Sequence, residues 1–176
     1  QGGGKDTHYK SELVTLGFEV PDLAVHAPEL EPASPVIGDT VNVSMTVKNL
    51  GEWTDDFTVS MYLDNTSSEA LATKPFTEME NGGNETFNFT WDTTGTLLGE
   101  HHLILVADSD DIVLEKEEEN NREELVVWVY PPVTKFKASS KEPEEGEKVK
   151  LTATVENPTD EDANVTVVFL KDDEEL

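Results

Sequence analysis

The feature that most limits what this chain can fold into is an alternation of apolar and polar residues in runs no longer than one β-strand. In VNVSMTV, Val41, Val43, Met45 and Val47 alternate with Asn42, Ser44 and Thr46, and in TFNFTW, Phe87, Phe89 and Trp91 alternate with Thr86, Asn88 and Thr90. A period of two puts the apolar set on one face of a strand, whereas a helix would scatter it around the cylinder. Similar segments predict strands over residues 23–26, 40–48, 57–63, 71–74, 85–91, 101–107 and 124–130, and no stretch sustains a helical period. The fold class is therefore all-β. One-sided strands close a core only by packing two sheets face to face, which suits a chain that is 36% hydrophobic. Residues 81–84, Asn-Gly-Gly-Asn, read as a hairpin turn, because Asn and Gly tolerate positive φ. Trp53, Trp91 and Trp128 lie in or beside apolar runs and are assigned to the core in preference to a sugar-stacking platform.

The chain also repeats itself. Moved by 108 residues, GDTVNVSMTVKN (38–49) falls on GEKVKLTATVEN (146–157), Pro35 on Pro143, and the apolar set Phe57, Val59, Met61 on Val165, Val167, Phe169. A fainter echo links KSELV at Lys10 with REELV at Arg122. Three regions follow: an N-terminal extension with one amphipathic strand (1–20), a whole sandwich (21–131), and the first strands of a second similar one (132–176). The amphipathic strand, with Val14, Leu16, Phe18 and Val20 on one face, is a candidate to be donated to the open sheet edge of another chain; the alternative is that the segment is a slice of a longer repeat array whose other strands were excluded.

Several motifs occur in a fixed order: PDLAV, VNVSMTVKNLG, FTVSMYLD, FNFTWDT, and ADSDDIVLEKEEENN before the last strand. Over residues 21–130 the chain resembles the CARDB family, the cell-adhesion-related domain of bacteria and archaea. The resemblance implies a seven-stranded immunoglobulin-like sandwich used as a building block of surface and secreted proteins. It implies no activity, because such sandwiches serve as spacers, adhesins and polymer subunits alike.

Charge and composition narrow the partners. A net charge of −26, from 38 acidic and 12 basic residues, excludes nucleic acid, whose phosphates demand clustered Lys and Arg. Without cysteine there is no disulfide framework and no thiolate chemistry. No apolar run in this segment approaches the ~20 residues of a membrane span. The first residue is Gln instead of Met, as in a processed or excised segment.

Five Asn-X-Ser/Thr sequons, at Asn42, Asn65, Asn84, Asn88 and Asn164, exceed the one or two expected by chance (roughly, from composition), while Pro158 disqualifies Asn157. Asn42, Asn88 and Asn164 alternate with apolar neighbours and so point outward; Asn65 and Asn84 fall in turns. Abundant sequons without cysteine suit an extracellular archaeal surface protein better than an animal one, the alternative being that a Thr-rich β protein generates sequons incidentally. The densest set of oxygen donors is Asp108, Asp110, Asp111, Glu115, Glu119, Asn120 and Asn121, a loop whose chemistry suits calcium, although its spacing departs from an EF-hand and lacks the central Gly. The alternative is a structural loop in which Asn120 or Asn121 satisfies local backbone groups. Adjacent His101 and His102 point to opposite faces of their strand and cannot share one metal.

No nucleophile elbow, zincin helix or phosphate loop is present, so no enzyme activity is expected, and no cofactor beyond possible calcium. The expected role is a structural subunit or repeat of a glycosylated surface filament, sheath or S-layer, partnered by copies of itself or neighbouring surface domains. The alternatives are an adhesion or carbohydrate-binding module and a passive spacer in a larger secreted protein.

Overall fold

The computed structural model describes residues 19–171 and 174–175. Seven strands form the first module: β1 (Leu23–Glu31), β2 (Thr40–Asn49), β3 (Phe57–Leu63), β4 (Ala72–Phe76), β5 (Asn84–Asp92), β6 (Gly99–Val106) and β7 (Arg122–Val129). They form two sheets, ordered β1-β2-β5 and β4-β3-β6-β7, with every neighbouring pair antiparallel. This is an immunoglobulin-like sandwich of three strands against four. Each predicted strand is present. β4 runs through Pro75 to Phe76, tolerable because β4 is an edge strand paired only with β3.

The alternation builds the core as expected. Val41, Val43, Met45 and Val47 of β2 face Phe87, Phe89 and Trp91 of β5 within one sheet, and Phe57, Val59, Met61, Leu103, Leu105, Val127 and Val129 come from the other. All are buried. Among the described residues no helix is long and apolar enough to cross a membrane.

Two expectations are corrected. Trp91 is in the core, but Trp53 and Trp128 are 56% and 50% exposed. Trp128 sits between Val127 and Val129, which take the inner face of β7, so alternation turns the indole out; Trp53 lies in the coil after β2. The Asn-Gly-Gly-Asn segment makes a tight turn, with the Gly83 N–H donating to the Glu80 carbonyl (2.9 Å) and Gly82 at φ 72°. It is not a hairpin, because the strands it lies between, β4 and β5, belong to different sheets.

Beyond the sandwich, β8 (Val133–Ala138) pairs with β9 (Leu151–Val155), and a minimal pair follows, β10 (Leu170–Lys171) with β11 (Glu174–Glu175). The repeat extends to strand register. Val133↔Val155, Lys137↔Thr152 and Ala138↔Leu151 are the β1–β2 pairs Val25↔Val47, Glu29↔Ser44 and Leu30↔Val43 moved by 108 residues, and each ladder slips once between those shared pairs, between His26 and Glu29 in β1 and between Val133 and Lys135 in β8. Gly38 and Gly146, in the two connections, both have positive φ, 93° and 84°. The surroundings differ: β1 begins fully buried, whereas β8 is exposed along its whole length.

One fully buried polar residue ties the strand ends together. Asn49 Oδ1 accepts from the N–H groups of Asp22 (3.2 Å) and Gly51 (3.0 Å), while Nδ2 donates to the carbonyls of Glu52 and Met79. A Cβ on Gly51 would collide with the Val20 carbonyl, so the turn after Asn49 requires glycine. Asn157, the repeat counterpart, also accepts from an N–H two residues on (Thr159, 3.1 Å) but is exposed. Asn49→Ala is therefore expected to lower unfolding free energy by about 2–4 kcal/mol, since it leaves several buried groups unpaired, and Asn157→Ala by less than about 1 kcal/mol. Urea denaturation of the two variants checks this; equal losses would contradict the role given to Asn49.

Candidate functional site

The acidic segment between β6 and β7 folds back over the start of β1. Asp108, buried and at φ 49°, accepts on its two carboxylate oxygens from the N–H groups of Ile112 (3.3 Å) and Val113 (2.9 Å), closing the first turn. Glu115, also buried, accepts from the Leu23 N–H on Oε2 and from the Asn121 amide on Oε1 (3.3 Å). The Asn120 amide donates to Asp22 (2.7 Å), and the Asn120 carbonyl accepts from the Val25 N–H (3.0 Å). The Asn121 carbonyl accepts from Ala107, and the Lys116 N–H donates to Pro21. The segment is thus a clamp on the first strand.

This arrangement decides how well the seven oxygen-bearing residues fit one cation. Asp108 and Glu115 point at separate backbone donors, Asp110 accepts from the Thr58 hydroxyl (3.0 Å), and Asn120 and Asn121 turn their amides to Asp22 and Glu115. Asp111 and Glu119 stay outside, on the rim of an open depression shared with Tyr62 and Arg122. Among the described residues no three His, Cys, Asp or Glu side chains are disposed to hold one ion. The carboxylates of Asp108 and Glu115 are thus taken up by separate backbone N–H groups, while Asp108, Asp111, Glu119 and Asn121 all border the same depression. The Asn120 and Asn121 side chains bond the carboxylates of Asp22 and Glu115 and not local backbone groups, and it is their backbone carbonyls that accept from Val25 and Ala107.

Burial governs the acids of the clamp. It pushes Glu115 up from its ordinary 4.5 to about 7, with Glu118 and Asp108 adding repulsion against the pull of the Leu23 N–H and the Asn121 amide. Burial raises Asp108 as well, opposed by the N–H groups of Val113 and Ile112. Asp64 goes the other way: burial disfavours its charge, but the His102 N–H and the His101 ring outweigh that and hold the carboxyl below its usual range.

His101 and His102 point to opposite faces, as strand geometry demands. His101 is buried, its Nδ1 3.0 Å from Asp64 and its Nε2 2.8 Å from the Leu97 carbonyl, with its ring edge-on to Trp91. His102 lies outside against Glu124 (2.6 Å). The Asp64–His101 pair, in which His101 is buried and Asp64 exposed, has no signal in the sequence, since Asp64 follows β3 and His101 lies in β6, and only the β3–β6 pairing brings them together.

Asn42 and Asn88 are exposed on the outer face of the β1-β2-β5 sheet, opposite Thr90 and Ser44. Asn84 is the exposed first residue of β5. Asn65 lies in the β3–β4 turn, its Oδ1 accepting from the N–H groups of Ser67 and Ser68, and Asn164 is exposed in the second module. Of the candidate donor strand, Val14, Leu16 and Phe18 lie outside the described residues. Val20 is in coil, its carbonyl accepting from the Glu52 N–H (3.0 Å).

Residues 20–125 match the CARDB family. The chain belongs to that family. Among solved structures, a CARDB domain from Pyrococcus furiosus, crystallised in complex with di-metal ions, is 24% identical with a TM-score of 0.54, the match covering 70% of this chain and 99% of that one. Its solution structure matches at 23% identity and a TM-score of 0.54, over 64% and 97% of the two chains. A domain of a protein described as a cell-surface protein of Methanosarcina acetivorans is 24% identical with a TM-score of 0.51, over 62% and 92%. No curated protein matches the chain. These likenesses show that this CARDB domain has the fold of those domains.

The clamp makes stability pH-dependent. Between 4.5 and about 7 the folded chain keeps on Glu115 a proton that the unfolded chain has lost, so raising pH across that window destabilises the fold. The contribution is at most about 3 kcal/mol. In Glu115→Gln that part of the slope is expected to vanish, which urea titrations of both proteins from pH 4 to pH 8 measure. Parallel pH profiles for the two would refute the assignment.

Proposed function

We propose that this CARDB domain is a non-catalytic structural repeat of an extracellular, N-glycosylated surface assembly of archaeal type, a filament, sheath or S-layer. The observation that carries the reading is the placement of Asn42 and Asn88 side by side on one exposed sheet face, while every apolar neighbour in their strands is sealed in the core. Sugars attached there meet solvent without disturbing packing. The charge of −26 keeps such a module soluble and disfavours anionic partners. The likeness of its fold to a domain of a protein described as a cell-surface protein agrees with that location.

The second module supports a role in joining copies. β8 and β9 repeat the register of β1 and β2, but the β8 residue Phe136 is 61% exposed, and Val165, Val167 and Val168 are also exposed. A strand from a neighbouring copy or surface domain would cover such a face, and residues 10–20 are the candidate donor.

Two measurements test the reading. Intact-glycopeptide mass spectrometry of the protein secreted by a host that N-glycosylates is expected to find sugar at Asn42 and Asn88. Removing residues 1–20 is expected to shift the secreted chain from oligomer to monomer in light scattering. Bare sequons would overturn the glycosylated reading, and unchanged assembly would overturn strand donation.

A further inference from the structure

We propose that Asn164 carries an N-linked glycan whose first sugar packs on the exposed indole of Trp128. This rests on the reading of the chain as an N-glycosylated module and assigns one of its glycans an intramolecular seat. A cleft of about 580 Å³ separates the end of β7 from the loop before β10, and it is lined by Leu98, Trp128, Tyr130, Asp162, Asn164 and Thr166. Its size lies in the range of small-ligand clefts, about 300–1,000 Å³. Both residues that define the sequon, Asn164 and Thr166, line it together with Trp128 and Tyr130.

The aromatic side calls for a cover. Val126, Trp128 and Tyr130 form an exposed apolar row on the outer face of β7 and just beyond it, with Glu100 directly opposite Trp128 on β6. Charge selects what can sit there. Strongly anionic partner surfaces are repelled by the charge of −26. A neutral sugar carries no such penalty: its C–H face lies on an indole as an apolar surface, and its hydroxyls can bond Asp162 and Thr166 at the polar wall. A glycan on Asn164 starts inside this cleft and needs no second molecule, so its first residue is held at high effective concentration.

The modification joins Nδ2 of Asn164 to the anomeric carbon of an activated donor, a lipid-linked saccharide phosphate, under a separate transferase. The anomeric C–O bond breaks, the phosphate leaves with the electron pair, and one Nδ2 proton is released to solvent. The seated sugar would then bridge the two modules and restrict their relative motion.

The test uses the full chain secreted from a glycosylating host, with Asn164→Gln and Thr166→Val as two independent ways to remove the sequon. Glycopeptide mass spectrometry is expected to show sugar at Asn164 in the parent and in neither variant. Acrylamide quenching of Trp fluorescence is expected to rise by about a third or more in both variants, and the rise is expected to disappear when Trp128 is replaced by Phe in all three proteins. Occupied Asn42 or Asn88 with bare Asn164 would overturn this inference and leave the surface reading intact, whereas five bare sequons would overturn both. Equal quenching in parent and variants, with Asn164 occupied, would refute the contact with Trp128.

Discussion

The first strand of the sandwich is held by hydrogen bonds that cross between its two sheets, and the rest of the module depends on where that strand is pinned. β1 pairs with β2 along one edge. At its start the Asp22 N–H is taken by Asn49, the Leu23 N–H by Glu115 and the Val25 N–H by the Asn120 carbonyl. These anchors select the register that turns Leu23 and Val25 inward, since a slip of one residue would expose both. Burying Asp22, Asn49, Glu115 and Asn121 at this point is tolerated because each is hydrogen-bonded. The acidic loop is thus part of the fold before it is part of any surface.

The strands and their inward faces were legible in the sequence because a single rule, period-two alternation, generates both. Val41 to Val47 and Phe87 to Trp91 obey it without exception. Trp128 was misplaced because residues 125–130 are apolar at every position, so alternation does not choose between the two faces: the smaller neighbours Val127 and Val129 own the inner face of β7. The turn at 81–84 was recognised by its glycines, but its local chemistry is the same whether the next strand pairs with the last one or crosses to the other sheet. The acidic loop shows the same limit. Its composition suggests a cation, yet the directions of Glu115 and Asp108 depend on N–H groups of Leu23, Ile112 and Val113, of which Leu23 is 92 residues from Glu115.

The two outer faces of the sandwich differ in a way that bears on assembly. The three-stranded sheet presents Asn42 and Asn88, and the four-stranded sheet presents Val126 and Trp128 beside Glu100 and His102. One face is suited to carry sugar into solvent and the other to be covered. A module with that asymmetry can be repeated along a chain, since the exposed apolar row lies next to the connection into the following module. The register shared by β1–β2 and β8–β9 shows the same hairpin recurring in two surroundings, sealed in one and open in the other.

Amide hydrogen exchange followed by NMR in the presence of a divalent-cation chelator tests the clamp most directly. The N–H groups of Leu23, Val25, Ala107 and Val113 all donate to or across the acidic loop. They should be protected to the same degree as core amides of β2, and adding calcium should leave that protection unchanged. Fast exchange at these four positions in chelator, slowed only when calcium is added, would show that an ion, and not the loop's own hydrogen bonds, holds the first strand in place.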